Sequence, residues 1–344
     1  MGSVQVKTLR VAVVGAGAFG KNHLRVYSEL ARDGEVELCA VVDRDPAVLA
    51  AATEKYGIPG FAGIAECLAS VGPLDAASGC VPTVHHAAVA EELLVSGVDV
   101  LIEKPIAATL EEADRIVSLA AHHGRIVQVG HLERFNPAVT AARQHLNRPM
   151  FFESHRLSVF TTRSLDVDVV LDLMIHDLDI VLSLVASPVR EVRAVGLPVL
   201  SQKVDIANVR IEFENGCIAN FTASRVSTER VRKLRFFQPH QYLSLDFARQ
   251  DLLLIDVTGM AAMGREKLAA MEAGTHPSEG LSLSNLVVEK GEPLGLEIAS
   301  FLNAVRTRAV PRVSGEAGRA ALALALEINA AIEKHAKRTG LKDT

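Results

Sequence analysis

Six residues near the start of the chain do most to limit what it can fold into. Gly15-Ala-Gly17-Ala-Phe19-Gly20 is a G-x-G-x-x-G run between the apolar, β-branched stretch Leu9–Val14 and the helically spaced stretch Phe19–Arg32. In a strand–turn–helix unit the first glycine permits the tight turn and the second lets backbone approach a pyrophosphate. The third lets helix and strand pack closely, and the helix start offers free N–H groups to the phosphates. Glycine-rich turns also serve packing alone, so the surroundings decide. Val36–Val42 reads as a second strand, and Asp43 follows it, 23 residues beyond Gly20. A carboxylate at that point accepts hydrogen bonds from the adenosine ribose and repels a 2′-phosphate. The dinucleotide implied is NAD, with NADP the less favoured alternative that Arg44 keeps open.

The first 130 residues keep alternating between the two periods. Strands are predicted at Asp75–Cys80, Val98–Ile102 and Arg125–Val129, and helices at Ala47–Tyr56, His86–Ser96 and Leu110–Ala121. Asp45-Pro46 opens the first of these helices with a capping carboxylate and a proline at the first helical position. Such alternation builds a parallel sheet with helices on both faces. Beyond Arg148 the pattern changes. One strongly apolar helix, Val169–Val185, precedes extended segments at Val204–Phe213, Cys217–Val226, Arg230–Phe237 and Tyr242–Phe247. Glu214-Asn215-Gly216 between two of them signals a hairpin. Helical spacing returns at Pro293–Arg306 and Gly315–Lys337. The expectation is an α/β chain of two domains: a doubly wound Rossmann domain over 1–130, then an α+β domain over 131–344 with a large, mostly antiparallel open sheet. The 344 residues are about twice one domain's usual length.

Composition removes several function classes. A net charge of −5 and the absence of Trp argue against an extended nucleic-acid footprint or a base-stacking platform. No apolar run approaches the length of a membrane span. Lys7 and Arg10 before Val11–Gly20 imitate a secretory leader, but the glycine spacing accounts for that run better. Cys39, Cys67, Cys80 and Cys217 are scattered with no CxxC pair, as expected of reduced thiols in a cytoplasm.

Two further groups carry chemistry. Glu103-Lys104-Pro105 ends an apolar strand, where an open parallel sheet binds ligands. A lysine partly desolvated beside a carboxylate can exchange protons or donate to a substrate oxygen; a salt-bridged strand end is the plainer alternative. On the apolar helix, Asp172, His176 and Asp179 fall at i, i+4 and i+7. An aspartate one turn from a histidine can fix its tautomer and raise its basicity. The same three residues suit a metal only with further ligands, which the sequence does not show, so no metal is expected.

Taken together, the glycine turn, Val81-Pro82-Thr-Val-His-His86, Glu103-Lys104-Pro105 and Asp172-x-x-x-His176 resemble the Gfo/Idh/MocA family of NAD(P)-dependent oxidoreductases over essentially the whole chain. The resemblance implies that Gly15, Gly17, Phe19, Gly20, Asp43, Arg44, Pro82, His86 and Glu103 hold the cofactor. It implies that Lys104, Asp172 and His176 line the substrate pocket. Val169-Val170-Leu171 replaces a glycine run frequent in the family, which sets the chain apart from members that act on inositol or free sugars. Lys21-Asn-His-Leu-Arg-Val-Tyr-Ser, Val129-Gly-His-Leu-Glu-Arg-Phe-Asn-Pro137 and Ile175-His-Asp-Leu-Asp-Ile180 resemble the branch that oxidises the 3-hydroxyl of UDP-N-acetylglucosamine. Its 3-keto product feeds 3-amino-sugar synthesis of the lipid A type.

On this reading His176, oriented by Asp172, is the first choice as base and Lys104 the second. Arg134 and Asn136 are expected near the substrate. Arg156 and Arg163, of which Arg163 lies nearer the Asp172 helix in sequence, and with less reason the run Arg230 to Arg235, would meet its diphosphate. The alternatives are an inositol or free-sugar dehydrogenase and a sensor without turnover. Finally, apolar side chains on alternate residues of Ile206–Phe213 and Cys217–Val226 are expected on both faces of the sheet. They imply a homo-oligomer formed through it.

Overall fold

The computed structural model describes residues 7–160, 167–258 and 282–340. The chain forms two compact units, Met1–Leu132 with Glu292–Leu322, and Glu133–Gly291 with Ala323–Thr344. The first break lies two residues from the border expected at 130. The return of 292–322 to the first unit differs from the expected division.

In the first unit β1 (Leu9–Val14), β2 (Val36–Val42), β3 (Gly60–Phe61), β4 (Ala76–Gly79), β5 (Asp99–Glu103) and β6 (Val127–Gly130) form a parallel sheet ordered β3-β2-β1-β4-β5-β6. The order reverses between β1 and β4, the switch point at which doubly wound sheets bind ligands. Helices α1 (Gly20–Arg32), α2 (Pro46–Tyr56), α3 (Ile64–Val71), α4 (His86–Val95) and α5 (Leu110–His123) connect the strands. Asp45 caps α2 as expected, accepting from Ala47 N at 2.8 Å. Thr109 and Glu112 close a reciprocal capping box on α5. The distant α8 (Pro293–Thr307) supplies Ile298, Phe301, Leu302 and Val305 to the core of Val11, Leu24, Tyr27 and Leu38. Linear alternation carries no sign of this, because nothing local says which sheet a late apolar helix face will cover. Val313 and Ser314 then line the edge of β6, with Val129 N donating to Val313 O at 3.0 Å.

The second unit holds an eight-stranded sheet. Its strands are β7 (Phe151–Val159), β8 (Val189–Leu197), β9 (Ile206–Phe213), β10 (Ile218–Ser227), β11 (Val231–Gln238), β12 (Gln241–Asp246), β13 (Asp251–Asp256) and β14 (Ser282–Leu286), ordered β14-β13-β12-β11-β7-β10-β9-β8. All pairings are antiparallel except β7 with β10. The register sorts side chains differently from the expectation. Ala207, Val209, Ile211 and Phe213 share one buried face with Ala219, Phe221 and Ala223. Asn208 and Arg210 face outward opposite Thr222 and Asn220. In β9 and β10 one buried face therefore accounts for nearly all the apolar residues. An outward apolar row does exist further across, running in register through Ile218, Phe151, Phe237, Tyr242, Ile255 and Leu283.

A buried carboxylate pins the loop after β8. Asp205 accepts from the amides of Val199, Leu200 and Ser201 at 2.7–2.8 Å and from the Ser201 hydroxyl at 2.7 Å. Burial pushes its pKa up, but the four donors outweigh burial and hold it at about 2. A depressed carboxylate contributes stability above its ordinary pKa and loses it as pH falls through the folded value. Asp205→Asn is therefore expected to cost about 2 kcal/mol at pH 7, with the difference from the parent shrinking between about pH 4 and pH 2. Denaturant titrations at the two ends of that window check this.

Candidate active site

The glycine turn has the geometry a dinucleotide cradle requires. Gly15 sits at φ +90°, and a Cβ there would lie 2.7 Å from the Cys80 carbonyl oxygen. A Cβ on Gly20 would lie 1.7 Å from the Gly15 oxygen. Both glycines are forced by packing of the turn on α1 and β4. Gly17 differs: a Cβ there meets nothing within 4 Å, so backbone is presented to open space, as close approach by a pyrophosphate demands. Asp43 accepts from Ala16 N at 2.7 Å and Asp45 N at 2.9 Å. It thus ties the end of β2 to the turn. Phe19, Arg44 and Pro82 are exposed around this end of the sheet.

At the end of β5 the Glu103 carboxylate turns inward. Its Oε1 is 3.0 Å from Nε2 of His23, a fully buried side chain of α1. Its Oε2 accepts from the Lys104 amide at 3.2 Å. Gly130 is needed opposite, since a Cβ there would stand 3.0 Å from that carboxylate. Lys104 itself is half-buried, and its peptide to Pro105 is cis. His86 is buried, with Nδ1 2.8 Å from Pro105 O and Nε2 2.8 Å from Val81 O. Glu103, 8% exposed, and His86, 1% exposed, are both turned into the protein. Both act on the backbone around Lys104.

In the second unit the expected regular helix is two pieces. Val170–Met174 is a π-helical turn, and α7 (Ile175–Leu184) continues it. Turns of this kind recur at functional sites. Asp168 starts the turn by accepting from the amides of Val170 and Leu171. Asp172 and His176 stay half-buried, whereas Met174, Ile175 and Asp177 to Val181 are buried. The two polar residues share the less buried side. Asp179 does not join them: it forms a buried ion pair with Arg134 at 3.0 Å. Asn136 caps α6 (Pro137–Arg143) through Ala138 N and donates to Glu133 and to Phe247 O. Arg134 and Asn136, expected near the substrate, thus both have internal partners, as does Arg156, buried against Glu133 and Asp177. Arg163 lies outside the described residues.

The Arg230 to Arg235 run is split by the pleat. Lys233 and Arg235 pair with Asp246 and Glu153, while Arg232, in register with Arg156, is 3.7 Å from Glu133. Among the described residues no cluster of His, Cys, Asp or Glu is arranged to hold a metal, and no helix is long and apolar enough to cross a membrane. Cys39, Cys67, Cys80 and Cys217 are free thiols, and burial pushes those of Cys67 and Cys217 up to about 11.

A parallel nucleotide-binding sheet followed by a domain carrying an Asp-x-x-x-His helix defines a class of dehydrogenase, and comparison with known proteins agrees. Residues 9–131 match an oxidoreductase family with an NAD-binding Rossmann fold, and residues 138–238 match the GFO/IDH/MocA C-terminal domain. The chain belongs to the Gfo/Idh/MocA oxidoreductase family. It is 34% identical to UDP-N-acetylglucosamine 3-dehydrogenase of Acidithiobacillus ferrooxidans, over 96% of this chain and 99% of that one. A solved structure of that enzyme, GnnA, has a TM-score of 0.84 at 33% identity, covering 95% of this chain and 99% of its own. The WlbA dehydrogenase of Bordetella pertussis, solved with NADH and UDP-GlcNAcA, shares the fold at 18% identity. Its TM-score is 0.74, over 95% of this chain and 97% of that one.

Proposed function

We propose that this protein oxidises the 3-hydroxyl of UDP-N-acetylglucosamine to the 3-keto sugar with NAD. The observation that carries this is similarity to a 3-dehydrogenase of that sugar nucleotide running through both units, at 96% of this chain. The inositol 2-dehydrogenase of Acidothermus cellulolyticus, in contrast, matches 55% of this chain and 57% of its own length at 29% identity.

Bound nicotinamide supplies the hydride acceptor. The open backbone at Gly17 and the N-terminus of α1 take the pyrophosphate, and Asp43 takes the ribose. Asp43 favours NAD because its charge would stand against a 2′-phosphate. Lys104 donates from its ammonium to the reacting oxygen. His176 accepts the hydroxyl proton, with Asp172 orienting the imidazole and stabilising the imidazolium. NADH formation at 340 nm, followed with UDP-N-acetylglucosamine, free N-acetylglucosamine and inositol, each with NAD and NADP, tests this directly. Turnover is expected with the sugar nucleotide and NAD. Turnover confined to inositol or free sugar, or with NADP preferred, overturns the substrate or the cofactor assignment. No turnover on any of them leaves the sensor reading standing.

A 3-keto sugar nucleotide is the natural acceptor for a transamination that installs a 3-amino group, as lipid A-type sugars require. We propose that this protein works in the cytoplasm. The outward row from Ile218 to Leu283 supports a homo-oligomer formed through the sheet: Phe237 is 39% exposed and Leu283 59%. Apolar rows of this kind on a sheet face mark interfaces. An interface above about 1,000 Å² is expected. Light scattering should show a multiple of the 36.8 kDa chain, reduced by Phe237→Lys. A monomeric mass for the parent protein refutes the interface.

A further inference from the structure

One side chain joins the loops that follow β4 and β5. His86, the first residue of α4, is 1% exposed, and each of its ring nitrogens is 2.8 Å from a backbone carbonyl oxygen. Both partners are acceptors, so the ring must donate. A neutral imidazole has a single N–H for this, and only the imidazolium has two. Burial lowers the His86 pKa, while the two carbonyls and the carboxylates of Glu103 and Glu112 oppose that lowering. In either protonation state no ring nitrogen is left over for a bound molecule.

The two carbonyls belong to residues with a shared location. Val81 and Pro105 follow adjacent parallel strands at their carboxyl ends, the edge at which open sheets bind ligands. Pro105 is the residue after Lys104, and the Lys104 amide is held by the Glu103 carboxylate. The main chain of Lys104 is therefore fixed from both sides, by Glu103 before it and by His86 after it. Placement matters here, since an error of about 1 Å at a reacting group can cost about 10²-fold in rate.

We propose that His86 is a positioning residue for the reaction: by strapping Pro105 to Val81 it holds Lys104 where its ammonium meets the reacting oxygen. This rests on the role given above to Lys104. His86→Phe keeps a flat ring and removes both ring nitrogens, and His86→Gln restores a donor able to reach one carbonyl. His86→Phe is expected to lower kcat by about 10- to 100-fold. NADH affinity and the KM for UDP-N-acetylglucosamine should stay within about threefold, since the ring is 1% exposed and both its nitrogens face backbone carbonyls. His86→Gln should recover most of the loss. In a Lys104→Met background, His86→Phe should cost less than about twofold more, because the strap has nothing left to position.

The strap is refuted if His86→Phe turns over within about twofold of the parent, or if its loss is the same with and without the Lys104 side chain. Normal turnover by Lys104→Met alone refutes the lysine's role instead, so the two failures are distinguishable. If His86→Phe does not fold, as circular dichroism would show, His86→Gln carries the same comparison. A smaller loss that disappears in the Lys104→Met background is then expected, and full additivity overturns the strap.

Discussion

Lys104→Met is expected to lower kcat on UDP-N-acetylglucosamine by about 10²- to 10⁴-fold, the range in which positioned proton donors and acceptors contribute. Methionine keeps the length and apolar stem of lysine but removes the charge, so the loss reports the ammonium rather than the packing. The lysine's surroundings make it a strong choice for this test. The Glu103 carboxylate is turned inward onto His23 and the Lys104 amide, and both of these contacts remain when the ammonium is removed. NADH binding, measured by fluorescence titration, should change by less than about threefold, because the glycine turn and Asp43 are untouched. His176→Ala should fall within the same range. The double variant should lose much less than the product of the two, as residues acting as a unit do. Near-normal turnover by both single variants would remove these residues from the reaction.

What the sequence made legible follows from how each signal is encoded. The Rossmann unit was readable because its strands are buried on both faces and written as runs such as Val11-Ala12-Val13-Val14, and because Gly15 and Gly20 stand where any Cβ would collide with backbone. Lys104, Asp172 and His176 stand out as candidates because polar residues interrupt apolar surroundings there. β7 was missed for the converse reason. Its inward positions are Phe152, Ser154 and Arg156, so the alternation that marks a half-buried strand carries polar residues where apolar ones are expected. Their partner is Asp177 on a helix some twenty residues further on, and no local pattern announces such a pairing. His23 was overlooked similarly, although Gly20, His23, Leu24 and Tyr27 form one buried stripe of α1. A histidine inside such a stripe is the available signal, and its partner Glu103 is 80 residues away. The π-helical turn at Val170–Met174 has no side-chain signature, because it is defined by backbone hydrogen bonding alone.

The buried pairing that hid β7 also yields the largest stability effect expected of a single substitution here. Arg156 is 3% exposed, and its guanidinium makes three bonds to carboxylates: 2.7 Å and 3.0 Å to Asp177, and 3.1 Å to Glu133. Ser154 donates to Asp177 at 2.8 Å, Asn136 donates to Glu133 at 3.1 Å, and the Phe247 ring lies 5.4 Å from the guanidinium carbon. Burial works against the arginine's charge, yet the two carboxylates outweigh it and hold the pKa above the ordinary arginine value. Arg156→Met would fill the space but leave Asp177 and Glu133 buried without this cation. Breaking a buried pair from one side in this way costs about 3–5 kcal/mol, whereas replacing both partners with apolar groups can be nearly neutral. Guanidinium titration of Arg156→Met should therefore show a loss in that range. Adding Asp177→Leu should recover part of it, because one stranded charge is then removed. The same substitution should lower kcat while leaving NADH affinity intact, since Asp177 anchors α7 to β7 immediately after His176. A stability loss below about 1 kcal/mol, no more than a surface pair is worth, would mean that water reaches these carboxylates, and that some other contact holds the helix on the sheet.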